Sequence, residues 1–250
     1  MQLSIVIPAY NEEKVLPKTL ERIQAAVGAQ HLPQSEWEII VCDNHSDDRT
    51  AELASGLGAR VVTEPHNQIA RARNTGAAAA SGKWLLFIDA DTWPDEALMR
   101  DVLTIIGEDQ LIGCGSTIKI EGGTLFNRLR MERINPVFRL LNMSGGAFLL
   151  CRKDAFDAIG GFSENLYALE EVDLQFRLKK YGRSLHKGFK VLHAHPVATS
   201  GRKGEIRFSS ILRMVVSNFM AIILFLLYFI LPKKYIGKVG RKMLGYWYKR

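Results

Sequence analysis

The sequence predicts an α/β fold with a mostly parallel central sheet, followed by a hydrophobic helix near the C-terminus. Three observations predict it. Apolar strand patterns alternate with helical ones over residues 3–106, as in crossover-connected parallel strands. The stretch Trp84–Ile88 is apolar throughout, which suits a strand covered on both faces. Polar residues follow successive strands at their carboxyl ends, where open parallel sheets bind ligands.

Taken in order, residues 3–7 read as the first strand, stopped by Pro8. A helix follows over 12–29, with Val15, Leu16, Leu20, Ile23 and Val27 at helical spacing. Residues 37–42 form a second strand that ends on the turn-prone pair Asp43-Asn44. A second helix is expected over 48–57, with Asp47 placed to cap it, and then a short strand over 59–62. The alanine-rich stretch 70–81 reads as a helix closed by Gly82. Pro94 opens another helix running to Ile106, which Asp91 or Thr92 is in position to cap. Beyond it the pattern is less regular. Strand signals cover 111–120 and 190–193, and residues 127–141 are mixed. A loop enters a strand over 145–150, Gly160-Gly161 marks a turn, and 171–181 is helical.

The 250 residues are 47% hydrophobic and 24% charged, ordinary for a globular enzyme with a substantial core. The net charge of +7 is unevenly placed. Residues 201–250 hold eleven Lys or Arg and one acid, Glu205, a net +10, so the first 200 carry −3. A body of that sign does not suit a nucleic-acid surface, whereas the basic tail suits an anionic membrane. Cys42, Cys114 and Cys151 are widely spaced, with no Cys-x-x-Cys pair. They read as small buried hydrophobes in a reducing compartment. The chain opens on a strand pattern rather than a basic leader, so the catalytic body is expected in the cytoplasm.

Three groups of side chains are candidates for chemistry. Asp89 and Asp91 end the buried strand at i and i+2, where hard carboxylate oxygens suit Mg²⁺ or Mn²⁺. The plainer reading is a capped turn. Glu170, Glu171 and Asp173 put three acids within four positions, which repel unless separated, paired or protonated. One of them is a candidate general base; the plainer reading is an acidic first turn of a helix. His193 and His195, two apart on an extended segment, are candidates to complete a metal site. Asp43 is placed to accept from a nucleobase or ribose, or to close an Asx turn. Arg71 and Arg73 meet a phosphate or a carboxylate, or lie on a solvated helix face. Residues 199–203 read as a polar basic loop, either a lid over a diphosphate or a junction to the tail.

In the tail, residues 214–231 contain only Ser217 and Asn218 as polar groups. As a helix this stretch is about 27 Å long, at the short end for a bilayer crossing. Seven Lys or Arg and no acid follow Leu231, which the positive-inside tendency keeps cytoplasmic. The expectation is a monotopic, re-entrant or single-span helix at the cytoplasmic face of the cell membrane, or packing on a membrane partner or a second copy. Domain boundaries are accordingly 1–205 for the catalytic body and 206–250 for the membrane-associating tail.

Several segments together resemble the family 2 glycosyltransferases of GT-A fold. They are Ile5-Val6-Ile7-Pro8-Ala9-Tyr10-Asn11-Glu12-Glu13, Val41-Cys42-Asp43-Asn44 with Ser46-Asp47-Asp48, Ala72-Arg73-Asn74-Thr75-Gly76 and Phe87-Ile88-Asp89-Ala90-Asp91. Later come Gly145-Gly146-Ala147-Phe148, Gly160-Gly161-Phe162 and Glu170-Glu171-Val172-Asp173-Leu174. The resemblance covers residues 2–200. It implies Pro8, Ala9, Tyr10, Glu12 and Asp43 around a nucleoside, and Arg73 and Asp89 near a UDP- or GDP-sugar donor. It also implies Asp91 as the metal-binding aspartate, with His193 at the family's downstream histidine position. The family's Glu-Asp-x-Asp segment places its catalytic aspartate at Glu171, where this chain has a longer acid, so Glu170 and Asp173 stay in contention. The implied reaction is direct, inverting displacement onto an acceptor hydroxyl, and the tail favours a lipid-linked or envelope polysaccharide acceptor.

A nucleotidyltransferase would show a glycine-rich phosphate loop after the first strand, where this chain has Pro8-Ala9-Tyr10-Asn11-Glu12. The P-loop and the dinucleotide-binding glycine pattern are likewise missing there. A catalytically degenerate membrane scaffold is the remaining alternative, and acids at every candidate position argue against it.

Overall fold

A computed structural model describes residues 1–201. The hydrophobic helix and basic tail expected over 206–250, and Arg202 and Lys203 of the expected lid, lie outside the described residues.

One eight-stranded sheet runs through the molecule in the order β3-β2-β1-β4-β7-β6-β8-β5. Its first half follows the local sequence closely. β1 (Leu3–Ala9) pairs in parallel with β2 (Trp37–Asp43) and with β4 (Trp84–Ile88), and β2 pairs in parallel with β3 (Arg60–Thr63). β1 and β4 are buried along their whole length, as their unbroken apolar character requires. Helices α1 (Leu16–Gly28), α2 (Thr50–Gly56) and α3 (Ile69–Ala78) make the crossovers.

The second half is mixed. β7 (Phe148–Arg152) lies antiparallel between β4 and β6 (Leu111–Glu121), while β8 (Gly188–Ser200) returns parallel to β6. Residues 92–93, expected to lead into a helix, form a short strand β5 (Thr92–Trp93) antiparallel to β8. The cap of the next helix, α4 (Glu96–Glu108), is therefore Asp95, which accepts from the Leu98 amide at 2.8 Å, and not Asp91 or Thr92. Asp47 likewise caps nothing: α2 starts after Arg49, and it is Asp48 that accepts from the Thr50 amide.

The mixed stretch 127–141 proves to be one helix, α5 (Leu125–Leu140), despite Pro136 inside it. Two devices support it. Thr124 caps its start, and the Asn135 side chain both donates to and accepts from the Ile118 backbone. After β7 come α6 (Lys153–Ala158) and α7 (Glu170–Ser184).

Two apolar clusters cover the two faces of the sheet. In the second, Phe87, Phe156 and Phe162 meet at centroid distances of 5.0–5.8 Å. Each aromatic ring buried this way contributes roughly 2–3 kcal/mol of transfer free energy. The three cysteines are free and buried, as expected, and burial pushes the Cys42 thiol up to about 12.

Candidate active site

Register puts the polar strand ends on one rim. Ala9 stands opposite Asp43, and Val6 opposite Phe87, so Pro8–Tyr10, Asp43-Asn44 and Asp89 emerge together. The loops after β1 and β2 are laced to each other. The Asn11 amide donates to Ser46 Oγ at 3.0 Å, the Asp47 amide to Asn11 Oδ1 at 2.9 Å, and the Glu12 amide to Thr50 Oγ1 at 2.8 Å. Asn11 (φ 52°) and His45 (φ 67°) hold left-handed backbone in these two loops, which asparagine tolerates and histidine adopts less readily. Asp43 faces this floor almost fully buried. Its Oδ2 accepts a long bond from the Ser46 amide, and its Oδ1 is buried without a hydrogen-bond partner.

The turn after β4 is fixed from several sides. The Asp89 amide donates to the Ala147 carbonyl, and Thr19 Oγ1 donates to the Ala90 carbonyl at 2.7 Å. The Asp91 carbonyl accepts from the Ser200 amide at 2.9 Å. Asp89 remains partly exposed while Asp91 is buried. Thr199 and Ser200, expected in a loop, belong to β8 and close this turn.

Arg73 is the hub. Only 2% of its side chain is exposed, and it lies 3.0 Å from both Asp89 and Glu170. Its Nη2 also donates to the Gly146 carbonyl at 3.1 Å, and its guanidinium sits 5.2 Å from the Phe162 ring. Burial alone would lower this guanidinium, but the charges of Asp89, Glu170 and Glu171 hold it above its ordinary value. Gly146 packs tightly at this spot: a Cβ there would fall 3.1 Å from Arg73 Nη2 and 3.3 Å from Glu171 Cγ, so any side chain would press on both.

The acidic cluster divides by environment. α7 begins directly after Leu169, a bulky residue held at φ 63°, and this strained entry aims the first turn at Arg73. Glu170 points inward onto Arg73. Asp173 is fully buried and bonds Arg177 at 2.7 Å, and Arg177 in turn donates to the Ile159 and Gly161 carbonyls. Glu171 is only half-buried, beside Gly146. Gln175, one turn on, accepts from the Ser144 amide and donates to the Ser144 carbonyl, bolting the glycine loop to α7.

Burial, and after it the Glu171 charge, push the Glu170 carboxyl above its ordinary value, against the pull of Arg73. A carboxyl raised in this way keeps its proton in the fold at pH values where the unfolded chain has lost it. Its contribution to stability is complete below the unfolded value and is lost as pH climbs through the raised folded one. Glu170→Gln should therefore flatten the pH dependence of stability above pH 5, by at most one proton, about 1.4 kcal/mol per pH unit. Urea unfolding between pH 5 and 8.5 reads this, and equal slopes in both proteins would remove Glu170 as the titrating group.

The structure does not bring the histidines to the carboxylates. His195 pairs with Asp101 of α4 at 2.9 Å, and His193 is exposed beside Lys190 and Arg139. Both lie several residues upstream of Thr199, the residue paired with Thr92, and each residue of strand spans about 3.3 Å. Among the described residues no three His, Cys, Asp or Glu side chains are grouped to hold a metal ion. Arg71 is also elsewhere, paired with Glu164 at 2.9 Å.

Sequence reasoning missed the polar groups that hold the site from below. Glu64 accepts from Thr75 and from the His66 amide, and Asn44 donates to the Glu64 and His66 carbonyls. Asn74 both donates to and accepts from Phe162, tying α3 to the Gly160-Gly161 turn. Only the Asp173–Arg177 pair had a local signal, its i,i+4 spacing.

Residues 4–167 match the family model described as Glycosyl transferase family 2. The chain belongs to that family. It is accordingly a glycosyltransferase. Among curated relatives it is 30% identical over 253 residues to the glycosyltransferase AglE of Haloferax volcanii, covering 92% of this chain and 82% of that protein. It is 29% identical over 180 residues to the dolichyl-phosphate beta-glucosyltransferase of Mus musculus, covering 64% of this chain and 53% of that enzyme. Among solved structures it resembles the mannosyltransferase PcManGT of Pyrobaculum calidifontis in complex with GDP-Man and Mn²⁺. That likeness has a TM-score of 0.58 and 16% identity, over 80% of this chain and 56% of that one, and it shows the shared fold. The chain thus spans about half the length of both the mouse enzyme and the mannosyltransferase.

Proposed function

We propose that the chain moves a sugar from a UDP- or GDP-sugar onto a hydroxyl oxygen of a lipid-linked or envelope saccharide acceptor, with inversion. The observation that carries this reading is the division of the acids around Arg73. Asp89 and Glu170 are held by that cation and Asp173 by Arg177, which leaves Glu171 as the acid of the cluster facing the open side of Gly146.

The rim formed by Pro8, Ala9, Tyr10, Glu12 and Asp43 takes the nucleoside, with the partnerless Asp43 Oδ1 accepting from the base. Asp91 and Asp89 would hold the divalent ion, their carboxylates being the hard oxygen donors that Mg²⁺ or Mn²⁺ takes. Such an ion supplies neutralisation of the charge developing on the departing diphosphate. Glu171 takes the acceptor proton as that oxygen attacks the anomeric carbon from the side opposite the diphosphate. The mouse relative's dolichyl-phosphate substrate and the apolar, basic C-terminal sequence both favour a lipid-borne acceptor at the cytoplasmic membrane face.

A screen of UDP- and GDP-sugars with Mn²⁺ and membrane lipid extract, read by mass spectrometry, tests the reading. Failure to bind any nucleotide sugar would favour the scaffold alternative. Within it, Asp43→Asn puts a donor where the base needs an acceptor. It should weaken UDP or GDP binding by about 10- to 100-fold in calorimetry. Unchanged affinity would move the nucleoside away from Asp43.

A further inference from the structure

We propose that α5 is a second membrane contact, a surface-lying amphipathic helix that seats the catalytic rim on an anionic bilayer. Its outward face carries a stripe of apolar side chains. Leu125 (69% exposed), Leu129 and Leu140 (84% exposed) recur four and eleven residues apart, one turn and three turns, and so share a face. Nothing among the described residues covers them. Arg128, Arg133 and Arg139 flank the stripe on both sides, against the single acid Glu132.

Apolar residues between arginines suit the headgroup boundary of an anionic bilayer, where the leucines enter and the guanidinium groups meet lipid phosphates. No described helix is long and apolar enough to cross a membrane, so α5 lies along the surface. The groove beside its C-terminal turn extends the basic surface through Lys190 and His193.

Position supports the same occupant. α5 leaves the rim right after Gly122-Gly123, where Gly201 packs so closely that a Cβ on it would fall 2.7 Å from Gly123 Cα. The sequence that continues from Gly201 is the +10 segment with its eighteen-residue apolar stretch. At its other end α5 leads through Ser144 and Gly146 to Arg73 and Glu171. A bilayer beneath α5 therefore lies at the edge where a lipid-borne acceptor has to enter. The purpose of the contact rests on the proposed acceptor class; its existence does not.

The test uses the full chain. All three native cysteines are buried, so Leu140→Cys takes an environment-sensitive fluorophore selectively, and Asp157→Cys on α6, which follows β7 at the end of the strands opposite the rim, is the control. On vesicles of phosphatidylglycerol and phosphatidylcholine the Leu140 label should shift to the blue and be quenched by headgroup-proximal spin-labelled lipid, while the control stays in water. The triple variant Leu125→Gln/Leu129→Gln/Leu140→Gln, with its tail intact, should lower the vesicle partition coefficient about tenfold. Protein held on vesicles with an unquenched Leu140 label would overturn the proposal, since the tail alone would then be the anchor. A blue-shifted label without vesicles would also overturn it, the tail or a second copy being the occupant according to whether the shift depends on concentration. None of these readouts involves sugar transfer, so failure of the α5 contact and failure of the proposed reaction are separable.

Discussion

Glu171→Gln is expected to slow sugar transfer by about 100- to 10,000-fold, the usual range for losing a positioned general base, while donor affinity changes little. The expectation follows from what surrounds each acid. Glutamine keeps the size of Glu171 and its contact with Gly146, and it cannot take a proton. The rim proposed for the nucleoside is built on β1 and β2, whereas Glu171 stands on α7. Single-turnover transfer and separate calorimetry of UDP or GDP distinguish the two effects. Asp173→Asn serves as the contrast. It breaks the bond to Arg177 that secures the Ile159–Gly161 turn, so its effect should appear in thermal unfolding, and activity should persist in proportion to folded protein. Near-normal transfer by the Glu171 variant would remove it as the base.

The largest stability effect is expected at Arg73. Arg73→Met leaves Glu170 buried with no cation, and breaking a buried pair from one side typically costs about 3–5 kcal/mol. For a body of this size that lowers the midpoint of thermal unfolding by roughly 10 °C. Part of the cost is the buried Glu170 carboxyl left without its partner and not lost packing. The double variant Arg73→Met/Glu170→Gln should accordingly recover roughly half of the loss. No recovery in the double variant would mean that the guanidinium's other contacts, to the Gly146 carbonyl and the Phe162 ring, carry the stability. Both proteins should transfer sugar poorly, because Asp89 loses the partner that fixes it in either case.

Charge placement explains why these two positions dominate. The rim collects Asp43, Asp89, Asp91, Glu170 and Glu171, and among the described residues the buried cation paired with two of them is Arg73. A diphosphate donor would bring further negative charge, which the divalent ion proposed for Asp91 and Asp89 would offset. The histidines stand apart from these acids. His195 is spent on Asp101, and His193 looks toward the basic groove beside α5.

The sequence by itself determined the first half of the sheet and the rim above it. Leu3–Ala9, Trp37–Asp43 and Trp84–Ile88 are strands because each is a short, nearly unbroken apolar run stopped by polar residues, and such runs form buried parallel strands whatever follows. The polar stops then share an edge by topology alone. Only the tertiary structure decided which acid does what, since Glu170, Glu171 and Asp173 are adjacent in the chain and differ only in the partners brought to them, Arg73 from 97 residues away and Arg177 from the next turn. It also decided that β7 runs against β4, that β5 displaces the expected cap to Asp95, and that residues 125–140 stay helical through Pro136. Each of these depends on pairing between segments far apart in sequence, and local propensity carries no record of such pairing.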